Sequence, residues 1–239
     1  MPAETELREV ICEVGRRMWV RSQVAANDGN ISVRMDDGTI LCTPSNVSKG
    51  FMKPEEMVRL SPDGRTIGRG KPSSEALLHL ACYCARNDIG AVVHAHPPYA
   101  TAFAALGMPV PTRYLTEIAV ALWEIPCAEY GTPGTVEVPE SALPMLESAN
   151  AFLLRNHGVV TVGADLWEAY HRMESVEQGA RVATIISELG GAQPFDDDQL
   201  RDLAAIRRES DLEVSPEDYD PTGCIERITK DQEEPDEHH

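Results

Sequence analysis

The chain has 239 residues, a formal net charge of −18 and only 5% aromatic residues. That length suits one large domain or two small ones with a substantial core, packed here mainly by aliphatic side chains and alanine. The acidic balance argues against a nucleic-acid surface, which needs a basic face. No run approaches the roughly 20 apolar residues of a membrane span, and the charged N-terminal segment does not read as a signal peptide.

Leu7, Val10, Ile11, Val14 and Met18 recur at helical spacing, with Thr5 as the predicted N-cap. "NDGNISVRMDDGTILCTPS" alternates, turns at Asp37-Gly38 and alternates again, which predicts a β-hairpin. "MVRLSPDGRTIGRG" predicts a shorter strand pair around Pro62-Asp63-Gly64. "SEALLHLACYCARN" is helical, with Ser73 or Ser74 as its cap. "GAVVHAH" reads as a buried strand, and "PYATAFAAL" as a helix opened by Pro97 and Pro98. The stretch from Met108 to Gly134 is rich in proline and glycine and carries no clear period, although Tyr114 and Glu117 would share one face of a helix. "ANAFLLRNHGVVTVG" predicts two buried strands flanking Arg155-Asn156-His157-Gly158. Asp165 should cap a long helix running to Gly190-Gly191, and a last helix should cover Asp197 to Ser210. The expectation is a single α/β domain over residues 1–212, a mostly antiparallel sheet covered by helices, followed by an acidic, disordered tail over 213–239. The final histidine pair is read as part of that tail. The six cysteines form no C-x-x-C pair and lie mostly in apolar surroundings, so they read as free thiols in a reducing, cytoplasmic compartment.

The chemistry starts at His94 and His96. On a strand they point to the same face. Two structural histidines, one on a carbonyl and one on water, would satisfy that pattern; so would a fragment of a metal site. His157, where a strand turns, supplies a third imidazole, and three histidines plus an open position is the catalytic zinc pattern. His79 and His171 lie on predicted helices and read as packed or surface residues. Glu75 follows Ser73 and Ser74 at a helix start. Capping explains all three residues, yet the same N–H groups and hydroxyls would hold a phosphate, and the acid would ligate a metal or move a proton. Gly29 and Asn30 in "DGNIS", and Ser45 and Asn46 in "TPSN", suit either turns or an anion-binding rim. Tyr114 and Glu117 read as an exposed or interface pair, or as a proton donor and a second acid.

Together the motifs "GNISV", "TPSN", "KPSSEALLH", "AVVHAHPPYATAFA", "IPCAEYGTPGT" and "LLRNHGVVTVG" resemble the class II aldolase/adducin family over roughly residues 5–210. The resemblance implies zinc on His94, His96 and His157, with Glu75 ligating the resting metal and then acting as general acid/base. Imidazole and carboxylate ligands also accept manganese or cobalt. It implies a phosphate pocket at Gly29, Asn30, Ser45, Asn46, Ser73 and Ser74. It further implies a homotetramer in which Tyr114 reaches the site of a neighbouring subunit. Where the sugar-phosphate aldolases carry "TPTG" this chain carries "TPSN"; asparagine adopts left-handed backbone geometry more readily than most residues. Glu117 falls near a catalytic glutamate of the related dehydratases, and Tyr219 is the candidate for a tail tyrosine that some members use. The implied reaction is cleavage of a ketose 1-phosphate to dihydroxyacetone phosphate and a small aldehyde. A dehydratase, decarboxylase or 4-epimerase on the same scaffold is the alternative, and a non-catalytic adducin-like interaction module the third reading.

Overall fold

The computed structural model describes residues 3–210 and 212–229. Helix α1 spans Glu4–Val20 and buries Leu7, Ile11, Val14 and Met18, the stripe its periodicity predicts. It starts two residues earlier than expected. Ala3 is the N-cap and makes no side-chain cap bond, so Thr5 lies inside the first turn; Glu4 and Glu6 sit at the positive end of the helix instead.

The hairpin forms as expected. Strand β1 (Asn30–Arg34) pairs antiparallel with β2 (Ile40–Cys42), Ser32 opposite Cys42. Gly38 takes φ +82 in the turn, and Asp37 accepts the Thr39 amide. Strands β3 (Val58–Leu60) and β4 (Thr66–Ile67) extend that edge. Helix α2 (Ala76–Ala85) leads into β5 (Ala91–Ala95), which lies beside β1 with His94 opposite Asn30. Helix α3 covers Pro98–Leu106. The unassigned middle folds into α4 (Thr116–Leu122) and the short β6 (Cys127–Ala128), followed by α5 (Glu137–Ala142). Strands β7 (Ala151–Leu154) and β8 (Gly158–Gly163) flank the Asn156-His157 turn. Helix α6 (Leu166–Glu188) is capped by Asp165, which accepts the Glu168 amide. Helix α7 covers Asp197–Glu209.

The eight strands form one sheet in the order β4-β3-β2-β1-β5-β8-β7-β6, antiparallel throughout except for β6 with β7. Strand alternation splits the interior in two. Val93 and Ala95 enter one core with Ile11 of α1, Ala104 of α3, Leu122 of α4 and Met173 of α6. Val92 and Val160 enter the other with Leu78 and Cys82 of α2 and Val138 of α5. Both sheet faces are therefore covered by helices, the three-layer arrangement expected from the sequence. Among the described residues no helix is long and apolar enough to cross a membrane.

Two expectations need correction at the C-terminus. The predicted boundary at 212/213 does not end the packing: helix α8 (Cys224–Thr229) lies on α2 and buries Cys224 and Ile228 in the second core. Nor are all cysteines free. Cys84 on α2 and Cys224 on α8 form a disulfide, leaving Cys12, Cys42, Cys82 and Cys127 as thiols. Composition reads the acidic segment as solvated, whereas Cys224 and Ile228 supply the apolar contacts that dock it. The rest of the acidic run and the terminal histidines lie outside the described residues.

Candidate active site

The parity that sets Val92 against α2 directs His94 to the same face, where it meets Glu75 at the start of that helix. His94 Nε2 lies 3.4 Å from Glu75 Oε2. Its Nδ1 lies 2.9 Å from the Val159 carbonyl, a bond that the Nδ1–H tautomer makes and that leaves the Nε2 lone pair facing the cluster. His96 follows the last residue of β5, and its amide continues the extended run by donating to the Gln23 carbonyl at 2.9 Å. Its Nε2 is 3.0 Å from that of His94. His157 arrives from the β7–β8 turn, with Nε2 3.0 Å from Glu75 Oε1. The ligand atoms of His94, His96 and His157 all lie within 4.8 Å of one another.

That approach depends on Gly158. A Cβ there would stand 2.5 Å from both the Ala95 carbonyl and His96 Cδ2, so any side chain would push the β7–β8 turn away from the imidazoles. Asn156 takes φ +59 in the same turn, a conformation asparagine tolerates.

Burial would raise the Glu75 carboxyl, but the neighbouring His94, the hydrogen bond with His157 and the Asn30 amide outweigh it and hold the group well below the ordinary carboxylate range. Burial pushes His94 down to about 3, against the pull of Glu75 and with help from the adjacent imidazoles. His96 is lowered by burial and by His157. At neutral pH the cluster is thus a carboxylate facing uncharged His94 and His96. Uncharged imidazole nitrogens converging with a carboxylate fit a divalent cation.

The cluster closes one end of a cleft of about 300 Å³. Every residue assigned to the phosphate pocket lines it: Gly29 and Asn30 before and at the start of β1, Ser45 and Asn46 after β2, and Ser73 and Ser74 before α2. Asn46 holds φ +59, the left-handed geometry its side chain tolerates. Glu75 is the N-cap of α2; neither serine caps that helix, although the Ser73 hydroxyl accepts the Glu75 amide at 3.3 Å. Asn30 Nδ2 donates to Glu75 Oε2 at 2.7 Å and so fixes the carboxylate.

Tyr114 and Glu117 are not brought to this cleft. Tyr114 lies in a turn before α4 and lines a separate groove with Thr112, Trp123 and Pro126, whereas Glu117 is exposed on α4, so the two do not share a helical face. Tyr219 bridges to Arg86, and its hydroxyl donates to the Leu143 carbonyl at 3.1 Å. Two residues that sequence reasoning passed over do line the cleft. Asp28 Oδ2 is 3.6 Å from His96 Nδ1, and Lys49 is almost fully buried against the loops that carry Asn30 and Asn46. A lone lysine in "SNVSKGF" carries no pattern that would reveal its burial.

Behind Asn30 the interior stays polar. Ser32 Oγ is 2.6 Å from His79 Nδ1 and 2.7 Å from the Tyr83 hydroxyl, while His79 Nε2 is buried with no partner among the described residues. Burial pushes His79 down to about 4. The native state therefore holds it neutral where the unfolded chain protonates it, and stability is lost as pH falls from 6.5 toward 4. Between pH 7.5 and pH 5 this group is expected to cost about 2 kcal/mol. Urea unfolding at the two pH values checks it: His79→Leu should lose that increment relative to the wild type.

Comparison with known proteins identifies the relatives of this chain. The family model "Class II Aldolase and Adducin N-terminal domain" matches residues 9–184. A 5-deoxy-D-ribulose 1-phosphate aldolase from Bacillus thuringiensis is 34% identical over 200 residues, covering 82% of this chain and 93% of the relative. A 3-oxo-tetronate 4-phosphate decarboxylase from Haemophilus influenzae is 32% identical, covering 73% of this chain and 85% of the relative. A solved L-fuculose 1-phosphate aldolase superposes with a TM-score of 0.79 at 30% identity, covering 85% of this chain and 96% of that one. The chain belongs to the class II aldolase and adducin N-terminal domain family.

Proposed function

We propose that the protein is a metal-dependent aldolase that cleaves a ketose 1-phosphate into dihydroxyacetone phosphate and a small aldehyde. The observation that carries this reading is the meeting of Glu75 with His94, His96 and His157 at the end of a cleft lined by small polar loop residues. A divalent cation held by the three histidines, zinc by preference, would supply Lewis-acid polarisation of the substrate carbonyl and its adjacent hydroxyl.

The chain's own residues do the rest. Ser73, Ser74 and the loops at Gly29-Asn30 and Ser45-Asn46 bind the phosphate, and that remote anchor places the C3–C4 bond beside Glu75. Asn30 orients the carboxylate. When the C3–C4 bond breaks, Glu75 delivers a proton to C3; in synthesis it removes that proton. In this reading the protein is a homotetramer in which Tyr114, which lies away from its own chain's cluster, serves a neighbouring copy by exchanging the proton of the C4 oxygen, with Glu117 as a second acid nearby. A cytoplasmic site of action belongs to the same reading.

The Haemophilus influenzae relative favours a second reading, decarboxylation of a 3-oxo sugar-acid phosphate on the same residues. Metal analysis combined with NMR of dihydroxyacetone phosphate in heavy water decides. About one metal per chain and stereospecific proton exchange that a chelator abolishes are expected. Metal without exchange, and carbon dioxide released from a 3-oxo acid phosphate, would replace the aldolase by the decarboxylase. Protein free of metal after purification without chelators would return the interaction-module reading.

A further inference from the structure

The cleft contains one cation that the family-based assignment leaves without a role. Lys49 is only 2% exposed, yet it is among the residues that line the cleft. Its ammonium donates to the Asn27 carbonyl at 3.0 Å and to the Val47 carbonyl at 2.6 Å. Those carbonyls belong to the two loops that carry Gly29-Asn30 and Ser45-Asn46. An ammonium has three N–H donors, so two tie the loops together and one is left over. Among the residues lining the cleft, Lys49 is the one lysine or arginine, and Asp28 and Glu75 line it too. A phosphate dianion entering beside two carboxylates, in a chain of net charge −18, needs a compensating positive charge. Neutral serine and asparagine groups do not supply it.

We infer that Lys49 is the cationic element of the phosphate subsite, holding the two loops in register and directing positive charge at the phosphoryl group of the substrate. This rests on the aldolase reading for the identity of the substrate, although phosphate recognition is testable without it. Lys49 takes no part in proton transfer at C3; its contribution falls on binding.

The experiment uses the metal-loaded protein, with inorganic phosphate and dihydroxyacetone phosphate as probes. Lys49→Gln keeps an amide donor for the loop carbonyls and removes the charge. We expect it to weaken phosphate binding, measured by calorimetry, about tenfold or more, the value of one charge-assisted hydrogen bond. The KM for dihydroxyacetone phosphate exchange should rise similarly, with kcat and metal content unchanged. A folded Lys49→Gln protein that binds phosphate as tightly as wild type overturns the Lys49 assignment and leaves the proposed reaction standing. Wild type that binds phosphate but does not exchange dihydroxyacetone phosphate overturns the reaction and leaves the Lys49 assignment standing. Wild type that does not bind phosphate overturns the subsite itself. Should Lys49→Gln fail to fold, the 13Cε resonance of Lys49 in labelled wild-type protein decides: it shifts on saturation with phosphate, and a resonance that stays in place overturns the inference.

Discussion

Glu75→Gln is expected to lower the rate of proton exchange on dihydroxyacetone phosphate by about a thousandfold, within the range that a positioned general acid/base contributes. Binding of the phosphate should survive. Glutamine is isosteric, its carbonyl oxygen still accepts from Asn30 Nδ2, and the groups at Gly29, Ser45, Asn46, Ser73 and Ser74 are untouched. What disappears is a carboxylate held ionised beside uncharged His94 and His96, the proton carrier in the proposed reaction. Exchange followed by NMR in heavy water, with calorimetric titration of dihydroxyacetone phosphate, reads the two effects separately. Exchange at the wild-type rate would move the acid/base role elsewhere, to Glu117 first.

His96→Ala is the second large effect. The variant should carry less than about a tenth of the wild-type metal, because loss of a ligand costs at least as much as the 10–100-fold loss that follows removal of a supporting partner. Exchange activity should fall with the metal. His96 is the better choice over His94. Its side chain is 25% exposed whereas that of His94 is fully buried, so truncation at His96 leaves little new cavity in the core. Metal content by elemental analysis, with circular dichroism to verify folding, checks the prediction. A fully metallated, active His96→Ala protein would remove the histidine cluster from the metal assignment.

Local order was legible where the physics is local. The alternation of Ile31, Val33, Val92 and Val160 defines strands, and Asp165 takes the N-cap bond that its short acceptor side chain suits. The parity of "VVHAH" puts His94 and His96 on one side, and their rings indeed lie 4.9 Å apart. Asn46 tolerates a left-handed backbone, and it adopts one. The Tyr114–Glu117 pair shows where locality misleads: the three-residue spacing suits a helix, but the helix starts only at Thr116.

The sequence by itself determined the strand parity that points two imidazoles the same way, the Asp165 cap of α6 and the Asp37-Gly38 turn of the first hairpin. Tertiary structure decided the rest. His157 meets His94 because β8 lies beside β5, a pairing that also brings Val159, 65 positions away, to the His94 ring. Glu75 joins them because α2 packs on that sheet face. Lys49 became a cleft residue, and Cys224 the partner of Cys84, only through packing between segments distant in the chain. A residue's own preferences act over a turn of helix or a pair of strand positions, whereas register between strands and burial of a charge depend on which distant apolar faces meet.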